Sequence, residues 1–143
     1  MSEIEEIYDA TNKTLCHFIV RSSLIREGRN NIISNSEPLQ LCTLRMNQGD
    51  TFIPHVHVKF EKIVYTTQES WVVIRGRVKV LHFDVDGNLL NESILEVGDA
   101  TVTLYGGHTY EALDDDTIVY EFKTGPYLGI EKDKKHIADP RAK

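Results

Sequence analysis

The sequence predicts an all-β domain, a sandwich or barrel of short strands, on three observations. From Leu39 onward the chain is a series of short β-branched and aromatic runs separated by Gly, Asp and Asn. Turn signals recur at the spacing of roughly 8–12 residues that sandwiches and barrels show. There is no alternation of strand with helix, no internal repeat and no low-complexity stretch.

Residues 1–38 are the least regular part. Ile4, Ile7, Tyr8 and Thr11 stand at helical spacing, and Leu15 to Ile25 fits either strand or helix. Arg26 to Pro38 is polar and reads as loop. The expectation is an N-terminal arm, part of the same fold or of a dimer interface, covering the main body or a partner subunit. The barrel proper is expected over residues 39–129. Gln40–Met46 is its first strand, closed by the turn Asn47-Gln48-Gly49-Asp50. Thr51–Val58 and Lys62–Thr66 follow. Ser70–Arg75 runs into Gly76, and Arg77–Phe83 continues to Asp84-Val85-Asp86-Gly87-Asn88, where Asp-Gly suits the positive φ of a hairpin turn. Leu89–Leu95 returns and Val97-Gly98-Asp99 turns again. Ala100–Tyr105, Tyr110–Leu113 and Thr117–Lys123 complete the set, with Asp114-Asp115-Asp116 as a turn. Residues 130–143 form a charged surface tail.

With 143 residues, 41% of them hydrophobic and 27% charged, the chain is sized and composed for one globular domain. Sixteen basic residues against twenty-two acidic ones give a net charge of −6, which leaves no surplus for phosphate neutralisation and argues against nucleic acid as a partner. No apolar run approaches the roughly 20 residues of a membrane span. The acidic start Met1-Ser2-Glu3-Ile4-Glu5-Glu6 is unlike a secretory signal, so the expected location is cytoplasmic. The two cysteines, Cys16 and Cys42, fit neither a metal knuckle nor a disulfide framework and read as reduced thiols, at least one of them buried.

The chemistry concentrates in Gly49-Asp50-Thr51-Phe52-Ile53-Pro54-His55-Val56-His57. Two histidines at i and i+2 on an extended strand point to one face and can converge on one ion, and imidazole is a common ligand of Zn, Fe, Ni and Cu. Glu69 opens the strongly apolar run Ser70-Trp71-Val72-Val73-Ile74. Parity puts it on the face of Trp71 and Val73, where a charge is costly unless paired or coordinated. His108 follows the second turn. Three histidines and one carboxylate from separate strands make a set suited to a divalent metal with open positions.

Gly49, His55, His57, Glu69 and Gly76 occupy positions that resemble the first motif of the cupin superfamily, and Gly98-Asp99 through His108 resembles the second. The run Tyr120-Glu121-Phe122-Lys123-Thr124-Gly125-Pro126-Tyr127-Leu128-Gly129 is similar to the terminal signature of small single-domain bacterial cupins, among them WbuC-type proteins linked with surface-polysaccharide biosynthesis. The resemblance spans Gly49 to Gly129. It departs from the family in the eleven-residue gap between His57 and Glu69, within which Glu61 competes for the carboxylate role, and in Tyr105-Gly106-Gly107, which replaces the usual proline–glycine turn.

The resemblance implies a double-stranded β-helix, the cupin jelly roll, with a short N-terminal arm. It also implies a divalent ion (Fe, Mn, Ni or Zn) on His55, His57, Glu69 and His108, acting on a small molecule such as a sugar or nucleotide-sugar. The residues leave other readings open: a site of two histidines and one carboxylate, or no metal. Tyr110, two residues from His108, is either a phenol donor beside the site or a packing residue. Glu121 and Lys123 are a second shell or a surface pair. His82 is expected at a partner face or in solvent, and His17 and His136 in solvent. The function expected is a metal-binding cupin acting on a small molecule, the ion serving as Lewis acid or as oxygen or water activator; as an enzyme it would be a metal-dependent isomerase or oxygenase. Its alternatives are a non-catalytic small-ligand binder and a metal-free sugar-nucleotide isomerase or epimerase using His and Tyr as acid and base. A homodimer is expected, because open sheet edges and the apolar residues of the arm call for burial.

Overall fold

A computed structural model describes residues 2–142; Met1 and Lys143, the outermost residues of the expected arm and tail, lie outside it. The chain is all-β and its sheets are antiparallel. Its strands are β1 (Ile4–Tyr8), β2 (Leu15–Val20), β3 (Gly28–Asn31), β4 (Cys42–Arg45), β5 (Glu69–Arg75), β6 (Val78–Phe83), β7 (Leu89–Leu95), β8 (Ala100–Thr103), β9 (Gly107–Ala112) and β10 (Ile118–Lys123), followed by one helical turn, α1 (Ile130–Asp133). A five-stranded sheet has the order β1-β2-β8-β5-β10, a three-stranded sheet has the order β7-β6-β9, and β3 pairs with β4.

The five-stranded sheet is covered on both faces, which is why β2 and β8 are buried almost from end to end. On its inner face Ile7, Ile19 and Val73 meet Val78, Val80 and Leu95 of the three-stranded sheet, so the two sheets pack face to face. On its outer face Phe18, Val20, Ala100 and Val102 pack against Ile32 and Ile33 of the N-terminal region. Burying one such Ile or Val side chain contributes about 1.5–3 kcal/mol. The N-terminal residues thus supply two strands of the main sheet as well as its outer cover.

The helical spacing at the N-terminus is overturned. Ile4 and Ile7 belong to a strand, and a three-residue step on a strand sends them to opposite faces: Ile4 packs with the outer cluster and Ile7 with the inner one. The helical pattern and a strand covered on both sides are indistinguishable in so short a segment.

Seven of the nine strands expected from residue 39 onward are present within a few residues of their predicted ends. The strands expected over Thr51–Val58 and Lys62–Thr66 are not. Residues 51–64 run without regular structure, and every residue from 44 to 66 is exposed. No helix among the described residues is long and apolar enough to cross a membrane.

One turn shapes the site directly. Gly106 has φ +100°, and a Cβ there would collide with the carbonyl oxygen of Phe83. Only glycine allows β8 to reverse into β9 this tightly against the end of β6.

Candidate functional site

Strand register gathers the polar residues of the interior into one row. Glu69, at the start of β5, pairs with Thr103, at the end of β8, and Thr103 pairs with His17 of β2. Direct partners in an antiparallel ladder share a face, so all three point toward the three-stranded sheet. There His108 of β9 lies across from His82 of β6. The row ends at a cleft of about 540 Å³ whose lining includes Glu69, Thr103 and His108 on one side and Asp133, His136 and Ile137 of the tail on the other.

Within that row a hydrogen-bond chain has only one possible direction. His17 is fully buried, and its Nε2 lies 2.8 Å from the Phe83 carbonyl oxygen, which can only accept. His17 therefore donates from Nε2. Desolvation lowers its pKa to about 4, so the ring is neutral at pH 7 and its Nδ1 is an acceptor. That nitrogen accepts a hydrogen bond from Thr103 Oγ1, 3.0 Å away. The hydroxyl, its hydrogen so used, accepts from His108 Nδ1 at 2.8 Å. His108 is left with Nε2 facing the cleft, 3.2 Å from Glu69 Oε1. With the ring neutral, a nitrogen lone pair and a carboxylate oxygen confront each other, an arrangement that needs a cation shared between them. A proton would serve, and so would a metal ion: two donors each about 2.1 Å from one ion at a near-right angle stand about 3 Å apart. The donors fit a borderline divalent metal.

Burial pushes the Glu69 carboxyl up, but the hydrogen bond and charge of His108, with smaller help from Glu121 and Lys123, hold it below the usual carboxylate range. Glu121 and Lys123 sit opposite Trp71 and Glu69 in the ladder and share their face, yet on the edge strand β10 both remain exposed.

Tyr110 stacks on Trp71 with centroids 3.7 Å apart and planes 11° from parallel, and its ring lies 5.0 Å from that of His108. Its hydroxyl and the Trp71 indole nitrogen are buried without hydrogen-bond partners among the described residues. Burial, then the negative charges of Glu69 and Glu121, push the phenol well above its ordinary pKa, so it is a proton donor and not a phenolate.

Of the predicted ligands, Glu69 and His108 are brought together and His55 and His57 stand apart from them. His55 and His57 are exposed, their rings 5.4 Å apart, with His55 Nδ1 donating to the Ile53 carbonyl at 2.9 Å. Glu61 is exposed on the same segment. Among the described residues no three His, Cys, Asp or Glu side chains converge as a metal site.

The expected positions of His17 in solvent and of His82 at a partner face or in solvent are overturned. Both are fully buried, with ring centroids 4.4 Å apart. His82 Nε2 lies 2.8 Å from Thr101 Oγ1, and desolvation, then the neighbouring histidines, lower its pKa to about 2. Sequence reading missed His17, His82, Thr101 and Thr103. The available signal was an imidazole inside each of two apolar runs, Leu15–Val20 and Val78–Phe83, and threonines two apart in β8. His136 is exposed at the cleft, in line with expectation.

Compared with known protein families, curated proteins and solved structures, the chain matches none.

Proposed function

We propose that this protein is a metal-dependent cupin of the jelly-roll class that acts on a small molecule in the cleft lined by Glu69, Thr103 and His108. The observation that supports the reading is the hydrogen-bond chain from the Phe83 carbonyl through His17 and Thr103, which orients His108 with Nε2 toward Glu69. Orientation of a ligand imidazole through its other nitrogen is the usual support of a metal-binding histidine. His108 and Glu69 would hold the ion, with His55 and His57 completing the set. A bound divalent ion supplies Lewis acidity toward a carbonyl or hydroxyl oxygen. Around it the chain's own residues divide the work. Thr103 fixes the His108 ring, Glu69 supplies the negative charge, and Tyr110, a neutral phenol beside His108, can give a proton to substrate oxygen. The Tyr110 ring, stacked on Trp71, packs beside the His108 imidazole on the interior side. A sugar or nucleotide-sugar substrate is the class that the sequence resemblance suggests.

The Glu69–His108 contact supports a second reading in which no metal takes part. At 3.2 Å the two groups form an acid–base pair when a proton lies between them, suited to moving a substrate proton in an isomerisation or epimerisation.

Elemental analysis of the purified protein, before and after chelation, separates the two. The metal reading expects close to one equivalent of a transition metal, and its loss in Glu69→Gln with the fold retained. Metal-free protein that takes up no ion would overturn it in favour of the acid–base pair.

A further inference from the structure

We propose that residues 133–141 form a releasable strap, which when seated makes the outer wall of the cleft over Glu69 and His108 and when released opens that cleft to a small molecule. The proposal rests on the reading of this cleft as the working site for what the strap guards, not for whether it opens.

The strap is clamped on either side of the Glu69–His108 pair. At one end Thr67 Oγ1, two residues before Glu69, donates to the Asp133 carboxylate. At the other, Ile137 rests on the β8–β9 turn at Gly107, one residue before His108: a Cβ on Gly107 would stand 2.8 Å from Ile137 Cδ1. Lys134, Lys135 and His136 therefore hang between the two clamps, and all three line the cleft that Glu69 and His108 also line. With the strap seated, the side chains of Glu69 and His108 are only 10% and 21% exposed.

What holds the strap is slight. Among the described residues its backbone hydrogen bonds stay within the tail, Lys134 to Ile130 and Ala142 to Asp139, so no sheet ladder fixes it. Side chains alone attach it. Arg141 reaches β9, where it donates to Thr109 Oγ1 at 2.8 Å and lies 4.0 Å from Glu111. Ion pairs at exposed positions hold weakly against water. Ile137 is the strap's one large apolar residue and is itself 37% exposed. The strands beneath, β7, β6 and β9, are joined by their own ladders and do not need the strap to stay paired. A segment with few buried apolar contacts and no ladder of its own is the kind that opens locally. A cleft of about 540 Å³ bounded by such a segment admits a ligand by letting that side go.

The test locks and unlocks the strap in the full-length chain. A Cβ at Gly87 would stand 3.9 Å from that of Ile137, within the span of a disulfide. Gly87→Cys with Ile137→Cys, in a Cys42→Ser background that leaves only the buried Cys16 besides, is compared oxidised and reduced. The probe is diethyl pyrocarbonate on chelated protein, with modification of each histidine read by peptide mass spectrometry. His108 reacts through Nε2, the nitrogen that faces the cleft, and the exposed His55 serves as internal reference. Oxidation is expected to slow His108 about tenfold relative to His55, and reduction to restore it. Ile137→Asp, which unseats the strap, is expected to speed His108 above wild type. Equal His108 rates in the oxidised, reduced and Ile137→Asp chains would overturn the strap. Gly87 has φ +87°, a strained position for cysteine. Should that chain fail to fold or to oxidise, Ile137→Asp decides alone: faster His108 labelling with an unchanged circular-dichroism spectrum upholds the strap, and an unchanged rate or a lost fold refutes it. Chelation keeps this outcome separate from the elemental analysis. Native protein without metal sinks the metal reading and leaves the strap, and an unmoved His108 does the reverse.

Discussion

His17 and His108 are joined through a single hydroxyl: Thr103 Oγ1 lies 3.0 Å from one imidazole and 2.8 Å from the other. The hydroxyl can give its one proton to only one of them, and the Phe83 carbonyl determines which. A residue in the fully buried interior thereby sets the tautomer of a residue at the cleft.

Thr103→Val keeps the shape and removes the bridge. Both imidazoles then lose a partner, and His108 is free to rotate or to change tautomer. Metal affinity is expected to fall about 10–100-fold, with a loss of stability of about 1–3 kcal/mol for the buried nitrogen left unpaired on His17. Competition titration with a chromophoric chelator measures the first and urea denaturation the second. Unchanged affinity with reduced stability would leave Thr103 a purely structural role.

Stability is expected to fall on mild acidification. Desolvation lowers His17 to about 4 and His82 to about 2, against 6.5 for an ordinary histidine. The unfolded chain therefore takes up protons below pH 6.5 that the folded chain refuses. This contribution is complete above pH 6.5 and is lost as the pH falls toward the folded values. Between pH 7.5 and 5.5 the two residues together should cost about 2–3 kcal/mol, read as a drop in the urea midpoint. His82→Asn should lessen the slope by about half; a flat profile in the wild type would contradict the buried, neutral pair.

Tyr110→Phe separates chemistry from packing. Its hydroxyl is buried and unpartnered, so removing it should leave the thermal midpoint unchanged or raise stability by about 1 kcal/mol. The stack on Trp71 at 3.7 Å is retained. Turnover of whichever small molecule the cleft accepts should drop by about 10²–10⁴-fold if the phenol is the proton donor. Full activity in this variant would reduce Tyr110 to a wall of the site.

The local grammar of strands and turns was legible in the sequence. β-branched runs, Asp-Gly at Asp86-Gly87 and the glycine at Gly98 predicted β6, β7 and β8 nearly to the residue, because hairpins are encoded by neighbours in the chain. The same local logic placed Glu69 on the inward face with Trp71 and Val73, and it singled out His108. It misread Ile4 and Ile7, because their spacing cannot say that both faces of a strand are covered.

Tertiary structure alone decided which residues meet. His17 and Thr103 are eighty-six positions apart, and only the pairing of β2 with β8 puts them side by side. The apolar run Leu15–Val20 hints that His17 is buried, but it does not say which groups meet the ring, since that is a property of what packs against a residue and not of its neighbours in the chain. The motif at His55 and His57 shows the converse. Its alternation is plain in the sequence, but a strand becomes a strand only by hydrogen bonding to another, and residues 51–64 pair with no edge in the folded chain.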